Sequence, residues 1–190
     1  MGKNTSSDNG SCNEKWELGL LRERTMKSSD AIGALKAYAT DPTVGLPDDL
    51  FYFVSEITPM VNVDLLIKDP NGRVLLAWRD DPLAGQGWHL PGGIVRFRET
   101  LETRIQKVAE TEVGALVDFD PAPVAINQVI NYHRETRGHF ISILYKCSLP
   151  ADFVPKNAGL SPRDAGFVKW HEACPSDLLK LHDIYRRYLS

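Results

Sequence analysis

The segment from Trp88 to Ala115, WHLPGGIVRFRETLETRIQKVAETEVGA, constrains the fold more than any other part of the chain. An apolar opening leads into a sharp turn at Pro91-Gly92-Gly93, and a long helical pattern follows. Gly114 closes that pattern, where a glycine can take the left-handed cap conformation. At about 100° per residue, Leu101, Ile105, Val108 and Glu112 fall on one stripe. Three of the four are apolar, so the stripe is expected to face the core and carry Glu112 inward. A buried, unpaired carboxylate costs several kcal/mol, so Glu112 needs a cation side chain such as Lys107, or a metal ion. Glycine lets the backbone approach a ligand closely. A carbonyl of Gly92 or Gly93 together with Glu112 is therefore an all-oxygen beginning for Mg²⁺ or Mn²⁺. On this local pattern alone, the metal site and the internal ion pair are equally good readings.

The rest of the chain supplies one domain around this unit. Residues 1–14 are rich in Gly, Ser and Asn and are expected to be a disordered tail. Residues 15–45 read as a helical extension, with a short helix around Leu18 to Arg24. A second helix is expected from Ser28 or Ser29, with Ile32, Leu35 and Tyr38 on one side. Residues 46–190 form the main domain, opening on a helix from Pro47 to about Thr58. A strand is expected from Met60, then a turn at DPNG (Asp69 to Gly72) and a returning strand over Arg73 to Arg79. Asp80 to Gly87 reads as a loop and Trp88 to Leu90 as a short strand. Beyond Gly114, strands are expected at Val124 to Tyr132, His139 to Leu149 and Gly166 to Trp170, then a C-terminal helix from Pro175-Ser176-Asp177. This order predicts an α/β fold, an α/β/α sandwich around a mixed β-sheet.

A formal net charge of -3 gives no electrostatic case for nucleic acid or a membrane surface as partner. No apolar run approaches membrane-spanning length, and the N-terminus has no apolar stretch of the signal-peptide kind. Three scattered cysteines, Cys12, Cys147 and Cys174, fit neither a disulfide framework nor a zinc motif. Free thiols in a reducing cytoplasm are the expectation.

The spacing Gly93, five residues, Glu99, seven residues, Lys107, then Glu112, Gly114 and Ala115 resembles the Nudix box. Lys107 stands where the box has arginine, and Val108 and Thr111 replace two of its glutamates. GDP-mannose mannosyl hydrolases, a branch of that family, similarly keep only the last glutamate and use one metal ion. LPDDLFYFVSEITPMVNVDLLI and NGRVLLAWRDDPLAGQGWHLPGG also look like that branch, so the resemblance runs from about Leu46 to Trp170. It implies the Nudix fold and Mg²⁺-dependent hydrolysis of a nucleotide sugar such as GDP-mannose, with Mn²⁺ as an alternative ion and a homodimer as the usual assembly. By the same resemblance, Gly93 (through its carbonyl) and Glu112 match metal ligands, and Arg79 matches the arginine on the diphosphate and leaving group. Lys107 takes the box-arginine position, and Asp64 matches the strand aspartate facing the ligand. The branch's late loop carries a metal ligand and a general base, and alignment on Trp170 puts Asp164 there for either role. His139, placed with the substrate, and His133 are alternative proton acceptors. Ile94 stands where the branch has an arginine. Two other readings remain: a pyrophosphatase attacking phosphorus, and a non-catalytic nucleotide-binding module.

Overall fold

The computed structural model describes residues 27–82 and 84–189. The tail over residues 1–14, the short helix around 18–24 and Cys12 lie outside the described residues. Within them are helices α1 (Ser28–Tyr38), α2 (Asp48–Ile57) and α3 (Leu101–Val108), and strands β1 (Met60–Ile67), β2 (Val74–Asp81), β3 (Gly85–His89), β4 (Gly92–Ile94), β5 (Asp118–Phe119), β6 (Ala125–Ile130), β7 (His139–Ser148) and β8 (Val168–His171). The mixed α/β architecture expected from the sequence is present, with its strands divided between two sheets. One has the order β4-β1-β7-β5 with β6 also on β7, and the other the order β3-β2-β8. Strands β1 and β7 run parallel and the other pairs antiparallel.

The division has a simple cause. The DPNG turn forms as expected, with Asp69 Oδ1 accepting the amides of Asn71 and Arg73 at 3.0 and 2.8 Å. The returning strand does not pair along β1, however. Both edges of β1 are already taken, by β4 and by β7. One bridge, Lys68 to Val74, is left of the expected hairpin. β2 instead turns back on β3 in a hairpin that occupies most of the expected Asp80–Gly87 loop, with Arg79 opposite Gly87 and Asp81 opposite Gly85. Gly85 has φ +83 there, a conformation that suits glycine.

Alternation along β1 sorts its side chains between two cores. Val63, Leu65 and Ile67 join Ile105 and Val108 of α3, while Leu66 joins Trp78, Trp88, Leu90 and Tyr185. Because both faces of β1 are covered, its second half is buried throughout, as is usual for strands in parallel pairs. The lid on the second core is the C-terminal segment. Its helix begins later than the sequence suggests, as a 3-10 helix over Lys180–Tyr188. Residues 177–179 are held extended against β3, with Trp88 N–H donating to Asp177 O (3.0 Å) and Leu179 N–H donating to Trp88 O (2.8 Å). Helix α1 forms where expected, but Lys27 rather than a serine precedes it, and Ile32, Leu35 and Tyr38 are all exposed. Cys147 and Cys174 are free thiols. No helix among the described residues is long and apolar enough to cross a membrane.

Candidate active site

The two glycines after Pro91 lie in strand β4 rather than in a turn, and neither has a positive φ. Space, not conformational freedom, demands them. A Cβ on Gly92 would collide with Asp64 Oδ1, and one on Gly93 would lie 2.7 Å from Val108 Cγ2. Thus Gly92 admits a carboxylate on one side of the strand and Gly93 admits helix α3 on the other. The ladder also separates their carbonyls. Leu65 N–H donates to Pro91 O and Val95 N–H to Val61 O, which makes the intervening Val63–Gly93 pair a hydrogen-bonded one. Gly92 is then the residue whose carbonyl points away from β1.

Helix α3 is capped by Thr100, whose hydroxyl accepts from Thr103 N–H at 3.1 Å. It ends in a π-turn over Ala109–Val113, closed by Gly114 at φ +78 as the sequence predicts. The wider turn changes which residue faces the core. Val113, five positions after Val108, takes the buried stripe. Glu112 is displaced to its flank, with its side chain 28% exposed. This corrects the inward carboxylate expected from an unbroken helix. Glu112 Oε2 lies 3.5 Å from His89 Nε2, and the same nitrogen lies 3.3 Å from Arg79 Nη2. A guanidinium can only donate and a carboxylate can only accept, so Arg79 and Glu112 compete for opposite protonation states of Nε2.

His89, Arg79, Gly92, Gly93 and Asp64 line one cavity of about 810 Å³, bounded also by α2, the β6–β7 loop and the C-terminal segment. Asp64 faces it as expected, but as a buried group. Its Oδ2 accepts from Asn62 Nδ2 (3.1 Å), from Tyr185 Oη (2.5 Å) and from Ser142 Oγ. Burial pushes the Asp64 carboxyl up, against these three donors. Burial, and then the Asp64 charge, raise Tyr185 as well. His182 is held well down, first by burial and then by His89 and Arg79; its Nδ1 accepts from Leu90 N–H at 3.3 Å.

Five residues proposed from the sequence stand apart from the cavity lining: Lys107, Asp164, His139, His133 and Glu112, the last touching it only through His89. Lys107 Nζ bonds Glu99 Oε1 at 3.0 Å. Asp164, expected as metal ligand or base, is exposed and accepts from Ser161 N–H at 2.7 Å, so it braces its own turn. That turn is held back by Gly166 N–H donating to Trp78 O and by Arg163 stacked over Trp78. His139, at the start of β7, bonds Gln128 and lines a smaller pocket, and His133 is exposed. Conversely, His89 and His182 enter the cavity without having been singled out in the sequence. For His89 a signal existed: in the strand before Pro91, alternation separates it from Trp88 and Leu90, which both face the second core.

The Glu99 cluster locks the loop before α3. Burial alone would raise its carboxyl, but the Arg96 amide, Lys107 and Arg104 hold it down to about 2 from an ordinary 4.5. The stabilisation from this depressed group is complete above about pH 4.5 and is lost as pH falls through about 2, at most roughly 3 kcal/mol. Urea denaturation between pH 2 and 6 is expected to show a steeper acid loss in the native chain than in Glu99→Gln. Parallel curves would refute this account of the cluster.

Among the described residues no three His, Cys, Asp or Glu side chains gather into a cation cage. The donors present nonetheless fit a small divalent ion. Mg²⁺ keeps several waters and needs only one or two protein oxygens beside substrate phosphates. The Glu112 carboxylate, 28% exposed, and the Gly92 carbonyl are oxygens of that kind.

Residues 58–189 match the profile described as the NUDIX domain, which covers more than half of the chain. The chain belongs to the Nudix hydrolase family. A curated relative, the low-salt glycan biosynthesis protein Agl8 of Haloferax volcanii, is 38% identical over 82 residues, 43% of this chain and 52% of its own length. The match thus spans about half of that relative. A MutT NUDIX hydrolase structure from Burkholderia pseudomallei superposes with a TM-score of 0.55 at 20% identity, covering 70% of this chain and 99% of that one. A structure described as a possible asymmetric diadenosine tetraphosphate hydrolase from Jonesia denitrificans gives 0.54 at 21% identity, covering 70% and 92%. At these identities the likeness concerns the fold. Nudix hydrolases as a family act on nucleoside diphosphate derivatives and generally use divalent metal ions such as Mg²⁺.

Proposed function

We propose that this Nudix protein hydrolyses a nucleotide sugar of the GDP-mannose kind, releasing a nucleoside diphosphate and the sugar. The observation that supports it is the line Glu112–His89–Arg79, of which His89 and Arg79 line the same cavity as Gly92. A box that has lost two of its glutamates and keeps Glu112 alone on the helix end, with Val108 buried in the core where another would stand, favours a single ion over a cluster. The glycan-biosynthesis relative supports a sugar-linked substrate.

In this reading Glu112 and the Gly92 carbonyl would hold Mg²⁺, with Mn²⁺ as a substitute. When bound, the ion supplies Lewis-acid stabilisation of charge on the diphosphate. Arg79 stabilises the negative charge that builds on the departing diphosphate. His89 Nε2, between Arg79 and Glu112, holds or releases a proton beside the reacting groups. Neither Lys107, Asp164 nor His139 takes a direct part: each is engaged elsewhere. A cytoplasmic homodimer completes the proposal, and light scattering on the full chain tests the dimer.

Hydrolysis of GDP-mannose in ¹⁸O-water with Mg²⁺ separates the two chemistries. Label on the sugar is expected, because water attacks the anomeric carbon. Label on phosphate would make the protein a pyrophosphatase, and no turnover of any nucleoside diphosphate derivative would leave only a binding module.

A further inference from the structure

The β6–β7 loop carries two arginines into the cavity that the chemistry above does not use, Arg134 and Arg137. The loop holds them in a fixed place. Asn131 N–H donates to Gly138 O at 2.7 Å, and Arg137 N–H donates to Ser55 Oγ of α2 at 3.0 Å. Arg137 itself sits at φ +52, a costly conformation for a residue with a Cβ, and its guanidinium lies over Phe51 at 5.9 Å. Arg134 Nη2 and Arg137 Nε are buried without a hydrogen-bond partner. Among the described residues neither side chain has a carboxylate within ion-pair distance, whereas Arg104 has Glu99 and Arg79 has Asp81 at 3.8 Å. Buried guanidinium nitrogens left unpaired are expensive, which points to an absent anion.

Charge balance says which anion. Five arginines line the cavity: Arg79, Arg96, Arg104, Arg134 and Arg137. Asp64, Asp81, Glu99 and Glu112 oppose them, so one positive charge is left over, or two when Asp64 holds a proton. A diphosphate diester bridged to a divalent ion is neutral and leaves that excess in place. Burial, with Arg79 and Arg134 nearby, already holds the Arg137 guanidinium below its ordinary range, despite the opposing charge of Asp81.

We infer that Arg134 and Arg137 form, beside Arg79, an anion subsite for a carboxylate or phosphate carried by the group linked to the diphosphate. This rests on the cavity being the site of a nucleoside diphosphate derivative. Within the proposed nucleotide-sugar class, a derivative whose second half is itself negatively charged, such as a nucleotide uronate, is thereby preferred to one with a neutral sugar; a dinucleoside polyphosphate presents the corresponding phosphate.

The test compares three substrates of the full-length protein with Mg²⁺: GDP-mannose, GDP-mannuronate, which has a carboxylate in place of the sugar's hydroxymethyl, and diguanosine triphosphate, in which the linked group is GMP. One of the two charged substrates is expected to exceed GDP-mannose in kcat/KM by at least ~10-fold, the worth of a charge-assisted bond. Which one does so identifies the anion. Arg137→Ala and Arg134→Gln are expected to bring that ratio towards one, and Arg137→Lys to keep part of it. Equal kcat/KM for neutral and charged substrates in the native chain would overturn the subsite, whatever the fate of the variants. So would an equal fall on all three substrates in folded variants, since the arginines would then serve the diphosphate. Without turnover of any, calorimetric titration with the same compounds still decides. Tighter binding of the charged compound, lost in Arg137→Ala, retains the subsite while the hydrolase reading fails. Equal binding removes the subsite.

Discussion

Glu112→Gln is expected to lower Mg²⁺-dependent kcat/KM by roughly 10²–10³-fold while the melting temperature stays nearly constant. The metal contributes several kcal/mol of charge stabilisation in reactions of this kind, and each tenfold in rate is about 1.4 kcal/mol. Glutamine keeps the shape of the side chain but removes the charge that would hold a divalent ion. The π-turn explains why the fold should tolerate this. Val113, not Glu112, fills the core position, and the Glu112 side chain is 28% exposed, with His89 Nε2 at 3.5 Å. Had the helix been unbroken, the same substitution would have altered a buried group. Stopped-flow or steady-state hydrolysis alongside calorimetric melting checks both halves. A large fall in melting temperature with little change in rate would return Glu112 to a structural role.

Gly92→Ala is expected to destabilise the fold by about 3 kcal/mol, the upper part of the range for overpacking. The added methyl would meet Asp64 Oδ1 and lie 2.9 Å from Val63 O. Neither neighbour can withdraw. Val63 is paired in the sheet, and Asp64 is held by Asn62, Ser142 and Tyr185. Displacing Asp64 would also loosen the C-terminal segment that Tyr185 anchors over the cavity. Gly114→Ala is the useful comparison. Nothing lies within 4 Å of its added Cβ, so the cost is only the left-handed backbone at φ +78, about 1–2 kcal/mol. Urea denaturation of both variants gives the ranking, and a Gly92→Ala loss no larger than that of Gly114→Ala would refute the close-packing argument.

The Nudix unit was legible because its signals are local. The α3 stripe, Gly114 as left-handed terminator and the alternation of β1 each depend on a few neighbouring residues. Asp64 was legible for the same reason, since Val63 and Leu65 assign it the other face of β1. Readings that needed a long-range choice went differently. The β1–β2 hairpin was correct as a turn and incorrect as a pairing, because β7, far along the chain, takes the edge of β1 that β2 would need. Asp164 was placed by counting back from Trp170, and counting cannot show that its turn is tied to Trp78 and away from the cavity.

By itself, then, the sequence determined the family, the helix that carries Glu112, the strand face that carries Asp64 and the arginine at the end of β2. These follow from periodicity and from motif spacing, which are properties of neighbours in the chain. The tertiary structure alone decided that Glu112 meets His89, which in turn meets Arg79, that Gly92 rather than Gly93 has its carbonyl off the β1 ladder, and that Arg134 and Arg137 enter the cavity lined by His89 and Arg79. Those outcomes depend on a π-turn's added residue, on the phase of a ladder and on a loop docked to α2. Each is set by packing between segments distant in the chain, where no local pattern reports it.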